Sequence, residues 1–194
     1  NVKIDPETGL WTEYSDDKMS AKYDLETGYF VYQAKVDGVA QEEQLYMSCG
    51  DNLYLVEPIK WIVLETTGGE SLLISSKILD GGIKYNDLYG DCTWETSSLR
   101  DWLNGTDEYN INNGAKYKEK LNFLNRAFSE AEIAELKKVT VSCADNDTYK
   151  TDGGNDSENV VYLLSQAEFN KYFTAESGFN SMAYGTNYAK ARGL

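Results

Sequence analysis

The sequence predicts an α+β protein with a mixed, mainly antiparallel sheet and two or three short helices. Two observations support this prediction. Segments rich in β-branched and aromatic residues alternate with glycine-containing turns, and serine-capped helix starts lie in the second half of the chain. The pattern divides the chain into a β-rich N-terminal lobe, residues 1–57, and an α+β main domain, residues 58–194. With 41% apolar and 26% charged residues, the composition is that of an ordinary folded protein.

The N-terminal lobe contains a repeated turn. The segment DPETGLW at 5–11 recurs as DLETGYF at 24–30, and each copy places a glycine before a large apolar pair. We expect Gly9 and Gly28 to adopt positive φ, which glycine does without steric cost. A strand is predicted at 29–36, a tight turn at Asp37-Gly38 and a second strand at 39–47. The lobe is therefore predicted to be a series of hairpins.

The main domain begins with another predicted hairpin, whose strands are residues 58–65 and 71–75. The first of these strands has apolar residues on both faces, which is typical of a strand inside a sheet. A loop over 79–91 leads to a helix that Ser97 or Ser98 caps and that Asn104-Gly105 ends. The polar residues 106–120 are predicted to be an exposed excursion.

Two capping boxes predict further helices. Ser129 with Glu132, and Ser165 with Glu168, each place a glutamate three residues after a serine. The first helix is expected to end with Lys137-Lys138 at its negative pole, and the second near residue 173. Strands are predicted at 139–143 and 160–164. Residues 174–194 show no strong element and are expected to pack loosely.

Large apolar residues at helix and strand spacing predict one core for the main domain. We expect nine side chains to meet there: Trp61, Leu73, Trp94, Leu99, Trp102, Phe128, Ile133, Leu163 and Phe169. Replacing Trp102 by alanine is then expected to cost ~3–5 kcal/mol of stability.

Charge and composition exclude several classes of function. The net charge is −14 and the isoelectric point is near 4.4, whereas binding to nucleic acids or anionic membranes needs a basic surface. No apolar run approaches the length of a membrane helix, so we expect no membrane insertion of the mature chain. The chain has no histidine, which excludes Ser-His-Asp and Cys-His catalysis and removes the usual zinc ligand.

The three cysteines are far apart in the sequence, at positions 49, 92 and 143, and they form no C-x-x-C pair. Two states of Cys49, Cys92 and Cys143 remain open at this point. One is a disulfide with a remaining free thiol, and the other is three buried thiols.

The loop over 145–158 is a candidate calcium site. Its sequence, DNDTYKTDGGNDSE, supplies the carboxylate and amide oxygens that calcium prefers. It does not match an EF-hand, because Lys150 stands where that motif requires glycine. An ordinary turn-rich loop would use the same residue types. No cofactor is required by this prediction, and the expected calcium ligands are Asp145, Asp147, Asp152, Asp156 and Glu158.

A series of short motifs in the main domain resembles a known family. In order these are WIVLE at 61–65, LLIS at 72–75, TWET at 93–96, LRDWLN at 99–104, FLNRAFS at 123–129, TDGGND at 151–156 and YLLS at 162–165. Together they resemble a domain-of-unknown-function family that is common in secreted and surface proteins of anaerobic Firmicutes. The resemblance implies export and a compact fold similar to the C-type-lectin-like fold. It carries over no catalytic residue.

The resemblance also implies that strands usually found after the segment at 188–193 are missing here. A sheet edge would then be uncovered, because its N–H and C=O groups lack a partner strand. We expect that edge to be filled by a neighbouring chain or by a strand of the N-terminal lobe, paired with the strands at 58–75 or 159–164.

The expected function is a secreted or cell-surface, non-catalytic binding or adhesion module of a Gram-positive bacterium. Its ligand would be a carbohydrate or a protein, held by some of the fifteen tyrosines. The chain contains no signal sequence, and we expect one to have been removed. One alternative is a calcium-stabilised structural surface domain. Another is a glycoside hydrolase with a carboxylate pair, although no motif selects a pair among 32 acidic residues.

Overall fold

The computed structural model describes residues 2–4, 11–24, 28–106 and 122–194, and it confirms the predicted α+β class. The chain forms two compact units. We call them the sheet unit, residues 1–82 and 182–194, and the loop unit, residues 83–181. The predicted domain boundary at residue 58 remains a prediction. Gly9 and the predicted excursion after Thr106 lie outside the described residues.

An antiparallel meander of six strands forms most of the sheet unit. Its strands are hydrogen-bonded in chain order: β1 (Val2–Ile4), β2 (Trp11–Ser15), β3 (Met19–Asp24), β4 (Tyr29–Val36), β5 (Val39–Cys49) and β6 (Asn52–Leu55). The predicted turn between β4 and β5 is confirmed. Asp37 and Gly38 have φ angles of 51° and 77°, and two successive positive φ angles are typical of a type I′ hairpin. Gly28 also has the predicted positive φ, at 70°.

After the meander, strands β7 (Trp61–Thr67) and β8 (Glu70–Ser75) form a hairpin that is a separate two-stranded sheet. The expectation that its first strand lies inside a larger sheet is wrong. Val63 and its cross-strand partner Leu73 are 51% and 41% exposed. The expected pairing of a meander strand with 58–75 or 159–164 does not occur in the described part of the chain.

Helix α5 (Asn187–Ala191) completes the sheet unit, and it corrects the expectation of a loosely packed C-terminal segment. Ala189 is fully buried, and a parallel bridge joins Ile78 to Gly185. The backbones approach so closely that a Cβ atom on Gly82 would lie 2.5 Å from the carbonyl oxygen of Arg192. The absence of a side chain at Gly82 therefore allows this segment to dock, which no local sequence pattern indicates.

The loop unit contains four short helices and one two-stranded sheet in its described residues. These are α1 (Ser98–Asn104), α2 (Phe123–Ala127), α3 (Glu130–Glu135), α4 (Gln166–Tyr172), β9 (Val139–Val141) and β10 (Ser157–Asn159). The caps predicted from the sequence are confirmed. Ser97 caps α1, and Ser129 and Ser165 form complete capping boxes on α3 and α4. Helix α3 ends at Glu135, so Lys137 and Lys138 lie beyond its last turn, contrary to the prediction.

The nine large side chains predicted to form one core do not all belong to a core. Leu73, Leu163 and Phe169 are exposed, whereas Trp94 is buried. The described interior of the loop unit combines four buried apolar residues, Trp94, Leu103, Leu124 and Tyr172, with six buried polar residues, Ser97, Ser98, Arg100, Asp101, Asn122 and Asn159. The single apolar core was a wrong prediction because short helices and loops leave backbone groups that polar side chains satisfy inside the unit.

Candidate functional site

Two side chains of α1 bind the backbone around β10. Buried Arg100 donates from Nε to Asn159 Oδ1 at 2.8 Å and from Nη2 to the Glu158 carbonyl oxygen at 3.3 Å. Asn104 Oδ1 accepts the N–H groups of Val160 and Val161 at 2.9 and 3.0 Å. Asn104 Nδ2 also donates to the Val161 carbonyl oxygen at 2.9 Å. The Asn104 amide therefore takes the position that a neighbouring strand would otherwise occupy.

This contact explains a wrong prediction. The strand expected at 160–164 is not formed, and β10 covers residues 157–159 instead. Because Asn104 satisfies the backbone of Val160 and Val161, that segment needs no ladder partner. The β-branched residues at 160 and 161 suggested a strand, but the backbone there is bonded by the Asn104 side chain, which is far away in the sequence, and not by a strand.

The loop after β9 is anchored on the segment that precedes α1. Glu95 Oε1 accepts from Asn155 Nδ2 at 2.9 Å and from the Asn155 backbone N–H at 3.3 Å. A Cβ atom on Gly154 would lie 2.6 Å from Thr93 Cβ, and one on Gly153 would collide with the Cys143 carbonyl oxygen. The TDGGND and TWET motifs are therefore packed against each other, and Gly154 allows that approach, while Gly153 allows the loop to approach the backbone after β9.

Three of the five predicted calcium ligands accept backbone N–H groups of the loop or of the segment just before it. Asp145 Oδ1 accepts the Gly153 N–H at 3.1 Å, and Asp152 Oδ1 accepts the Gly154 N–H at 2.8 Å. The Asp156 carboxylate accepts the backbone N–H of Cys143 at 3.0 Å. These contacts are those of a self-capped loop, in which short acidic side chains bond nearby amides.

The other two predicted ligands lie elsewhere on the loop surface. Asp147 Oδ1 is 3.8 Å from Lys150 Nζ, and Glu158 belongs to β10. Within the described ranges, no three His, Cys, Asp or Glu side chains are grouped so that they could hold a metal ion. Calcium binding by this loop remains a prediction.

Burial also controls the titrating groups of this region. It raises the pKa of the Tyr85 hydroxyl and that of the Cys143 thiol, and the carboxylates of Asp156 and Glu95 raise the pKa of Cys143 further. A thiol with a raised pKa stays protonated at neutral pH and is a poor nucleophile. All three cysteines, which lie in described residues, are free thiols in the structure. The side chains of Arg100, Asn104 and Glu95 hold distant backbone segments of the unit together, and we call these three residues the loop-unit clamp.

The sheet unit places a different set of side chains together. Directly paired residues share a face of a sheet, and residues two apart on a strand share it too. Tyr23, Phe30, Tyr46 and Leu55 are paired across β3 to β6, and Tyr14 pairs through Ala21 with Tyr32. Leu53 joins the same face through Ser48. We call this surface the aromatic face, and its members are Tyr14, Tyr23, Phe30, Tyr32, Tyr46, Leu53 and Leu55.

The aromatic face is partly open to solvent. Leu53 and Leu55 are 55% and 49% exposed, and Gln44 and Ser48, which flank Tyr46 on β5, are exposed as well. The rings are half-buried by their neighbours in the sheet, as in the pair of Tyr23 and Phe30, whose centroids are 4.7 Å apart. The face therefore presents aromatic surface that its own side chains hold in place.

Two tyrosine hydroxyls of this face donate hydrogen bonds to neighbouring side chains. Tyr14 Oη donates to Asp16 Oδ2 at 2.7 Å, and Tyr46 Oη donates to Gln44 Oε1 at 3.0 Å. The hydrogen bond from Tyr14, with the N–H groups of Lys18 and Met19, lowers the pKa of Asp16 to about 2. The same contact raises the pKa of Tyr14. Asp16 is thus ionised at neutral pH and keeps the Tyr14 hydroxyl oriented as a donor.

The opposite face of the meander differs in chemistry. It carries Lys3, Lys22 and Lys35, and Lys3 Nζ pairs with Glu13 Oε2 at 2.8 Å. Helix α5 contacts this face, because the Tyr188 ring packs edge-on against Tyr54 with centroids 5.8 Å apart. One face of the meander is therefore partly covered by its own helix and bears the lysines, while the other presents the aromatic residues.

These features define an α+β protein with a clamped loop unit and a sheet unit that displays aromatic residues. The chain belongs to the family described as Domain of unknown function (DUF6273), whose model matches residues 69–192. No curated protein and no solved structure gives a significant match. The matched residues cover the loop unit, β8 and α5, and they leave the meander with its aromatic face outside. Every helix in the described part of the chain is too short or too polar to cross a membrane.

Proposed function

We propose that the protein is a non-catalytic binding module that acts at the bacterial cell surface and binds its ligand on the aromatic face. The observation that carries this proposal is the collection of five aromatic side chains on one face of the meander. Tyrosine offers a large contact area with few rotatable bonds and a polar tip, which suits a recognition surface. The ligand is a carbohydrate or a protein, since both use such surfaces.

The non-catalytic part of the proposal is supported by the loop unit. Cys143 is kept protonated by burial, and the chain has no histidine that could activate a nucleophile. The carboxylates of Glu95 and Asp156 accept backbone N–H groups of the unit itself. Their contacts explain the fold without a reaction, and a glycosidase would need a carboxylate pair directed at a substrate.

Secretion and a Gram-positive source are part of the proposal, and they rest on the resemblance and on the acidic composition. A likeness of the matched region to the C-type-lectin-like fold is also proposed, and it rests on the resemblance alone. Fractionation of a culture of the source organism tests the location, because the protein is then expected in the envelope or medium. Recovery with cytoplasmic markers would contradict the proposal.

An array that carries polysaccharides and peptides tests the binding surface. The labelled protein is compared with Tyr32→Thr/Tyr46→Thr, in which threonine keeps the strand propensity but removes two rings. The matched control is Lys22→Ala/Glu43→Ala, which changes two exposed residues of the opposite face. Far-UV circular dichroism confirms that both variants fold.

Wild type and control are expected to bind the same spots, and the tyrosine variant is expected to lose them. Equal binding by all three proteins would place the binding surface elsewhere. Release of a shortened product from a bound spot would contradict the non-catalytic assignment.

A further inference from the structure

We infer, on the basis of the function proposed above, that the ligand of the aromatic face is a neutral polysaccharide and that the face excludes polyanions. The inference uses three observations: where the charges of the meander lie, which polar groups surround the rings, and how the rings are arranged across the strands.

The lysines of the meander strands all lie on one side. Lys3, Lys22 and Lys35 project from the face opposite the aromatic residues. Among the described side chains, the aromatic face has no lysine or arginine, and the ionised carboxylate of Asp16 lies at its end. A polyanionic ligand would therefore meet a carboxylate with no lysine or arginine beside it on the described part of the same face, in a chain whose net charge is −14.

The polar groups around the rings are suited to hydroxyl ligands. Tyr14 and Tyr46 use their hydroxyl protons within the protein, so their oxygen lone pairs are left as acceptors for a ligand. Exposed Gln44 and Ser48 supply a neutral amide and a hydroxyl beside Tyr46. A sugar ring has apolar C–H faces that pack on aromatic rings and hydroxyl groups at its rim, which matches this combination.

The arrangement of the rings suits an extended chain. Tyr23, Phe30 and Tyr46 form a row across three neighbouring strands, and adjacent strands are ~4.8 Å apart. Tyr14 and Tyr32 form a second row, with Ala21 between them. The rows offer successive contacts to a ligand that crosses the strands. A peptide that added a strand would use edge backbone groups instead, and the inner strands have already paired theirs.

Affinity electrophoresis tests the inference with defined probes. The whole chain migrates through gels that contain hydroxyethyl cellulose, galactomannan or laminarin as neutral polysaccharides, or polygalacturonate as a polyanion. We expect retardation by at least one neutral polysaccharide, unchanged at high salt because no charges are paired. Tyr32→Thr/Tyr46→Thr is expected to weaken that binding by about tenfold or more, because stacked rings are lost. Lys22→Ala/Glu43→Ala is expected to match wild type.

A variant with added positive charge makes the test specific for the ligand class. Gln44→Lys/Ser48→Lys adds two cations to the aromatic face, and we expect it to gain salt-sensitive binding to polygalacturonate that wild type lacks. Polygalacturonate binding by wild type would overturn the inference. So would binding only to array peptides in a tyrosine-dependent manner, although the aromatic face would then still be the binding surface. Neutral-polysaccharide binding that the tyrosine variant retains would overturn both proposals.

Discussion

The sheet unit and the loop unit satisfy their backbones in different ways, and this difference bears on where a ligand can bind. In the meander, neighbouring strands pair with one another, so side chains are not needed for backbone hydrogen bonds. In the loop unit, side chains such as Arg100, Asn104 and Glu95 bond backbone groups of distant segments. The polar side chains of the loop unit are thus committed to its fold, whereas the hydroxyl oxygens of Tyr14 and Tyr46 on the aromatic face remain available as acceptors.

The largest expected effect comes from removing the central side chain of the loop-unit clamp. Arg100→Ala removes the donor of the buried Asn159 side chain and one donor of the Glu158 carbonyl oxygen. We expect a loss of about 4 kcal/mol in the free energy of unfolding. Chemical denaturation followed by tryptophan fluorescence measures it.

Lys138→Ala is the control for charge, because Lys138 is an exposed basic residue of the same unit. It is expected to change the stability by less than ~0.5 kcal/mol. A similar, small effect of both substitutions would show that the clamp does not stabilise the loop unit.

Two glycines with the same φ allow crowding to be compared between the two units. Gly154 of the loop unit and Gly69 of the sheet unit both have φ of 85°, but only Gly154 has neighbours within reach of a Cβ atom. Gly69→Ala is expected to cost about 1 kcal/mol from its backbone conformation alone. Gly154→Ala adds a clash with Thr93 and is expected to cost about 2 kcal/mol more.

Thermal unfolding of the two variants, measured side by side, gives the difference directly. Equal losses at Gly154 and Gly69 would mean that the loop moves away from Thr93 at no cost. The close packing of the two sequence motifs would then not be a source of stability.

Loss of a helix cap is expected to have the next largest effect. Ser165 Oγ accepts the Glu168 N–H, and the Glu168 carboxylate accepts the Ser165 N–H, at 3.2 and 2.7 Å. Ser165→Ala is expected to cost about 1 kcal/mol. Ser142→Ala, at an exposed serine outside any cap, is the control and should be neutral. If the two variants melted at one temperature, the capping box on α4 would contribute nothing.

Calcium is expected to have a smaller effect, if the predicted site on the 145–158 loop forms. At a calcium concentration equal to the dissociation constant, mass action adds about 0.4 kcal/mol. Asp147→Asn should abolish that gain because it removes a predicted carboxylate ligand, and the contact that the structure gives Asp147 is with the exposed Lys150 side chain at 3.8 Å. A melting temperature that is independent of millimolar calcium would reject the site.

The smallest expected effect is a change in acid sensitivity of the sheet unit. The pKa of Asp16 is lowered from 3.8 to about 2 by bonds to its ionised form. A lowered folded-state pKa stabilises the protein above 3.8, and this contribution is lost as the pH falls towards 2. Asp16→Asn is expected to flatten the dependence of melting temperature on pH in that window. An unchanged slope would contradict the contact with Tyr14.

Local patterns in the sequence determined much of the secondary structure. Ser129 with Glu132, Ser165 with Glu168, and Asp37-Gly38 could be identified because caps and tight turns are made by residues close together in the chain. The fold class, the family and strands β4 and β5 of the meander follow from the same kind of local evidence.

Contacts between distant residues were decided by the tertiary structure alone. The Asn104 amide replaces a strand partner for residues 160 and 161, and α5 docks where Gly82 leaves space. The aromatic face belongs to this class as well. Alternation shows which residues of one strand share a side, but the register between strands decides that Tyr14, Tyr32 and Tyr46 share a face. A one-residue slip in register would have placed them on opposite sides, because side chains alternate along every strand.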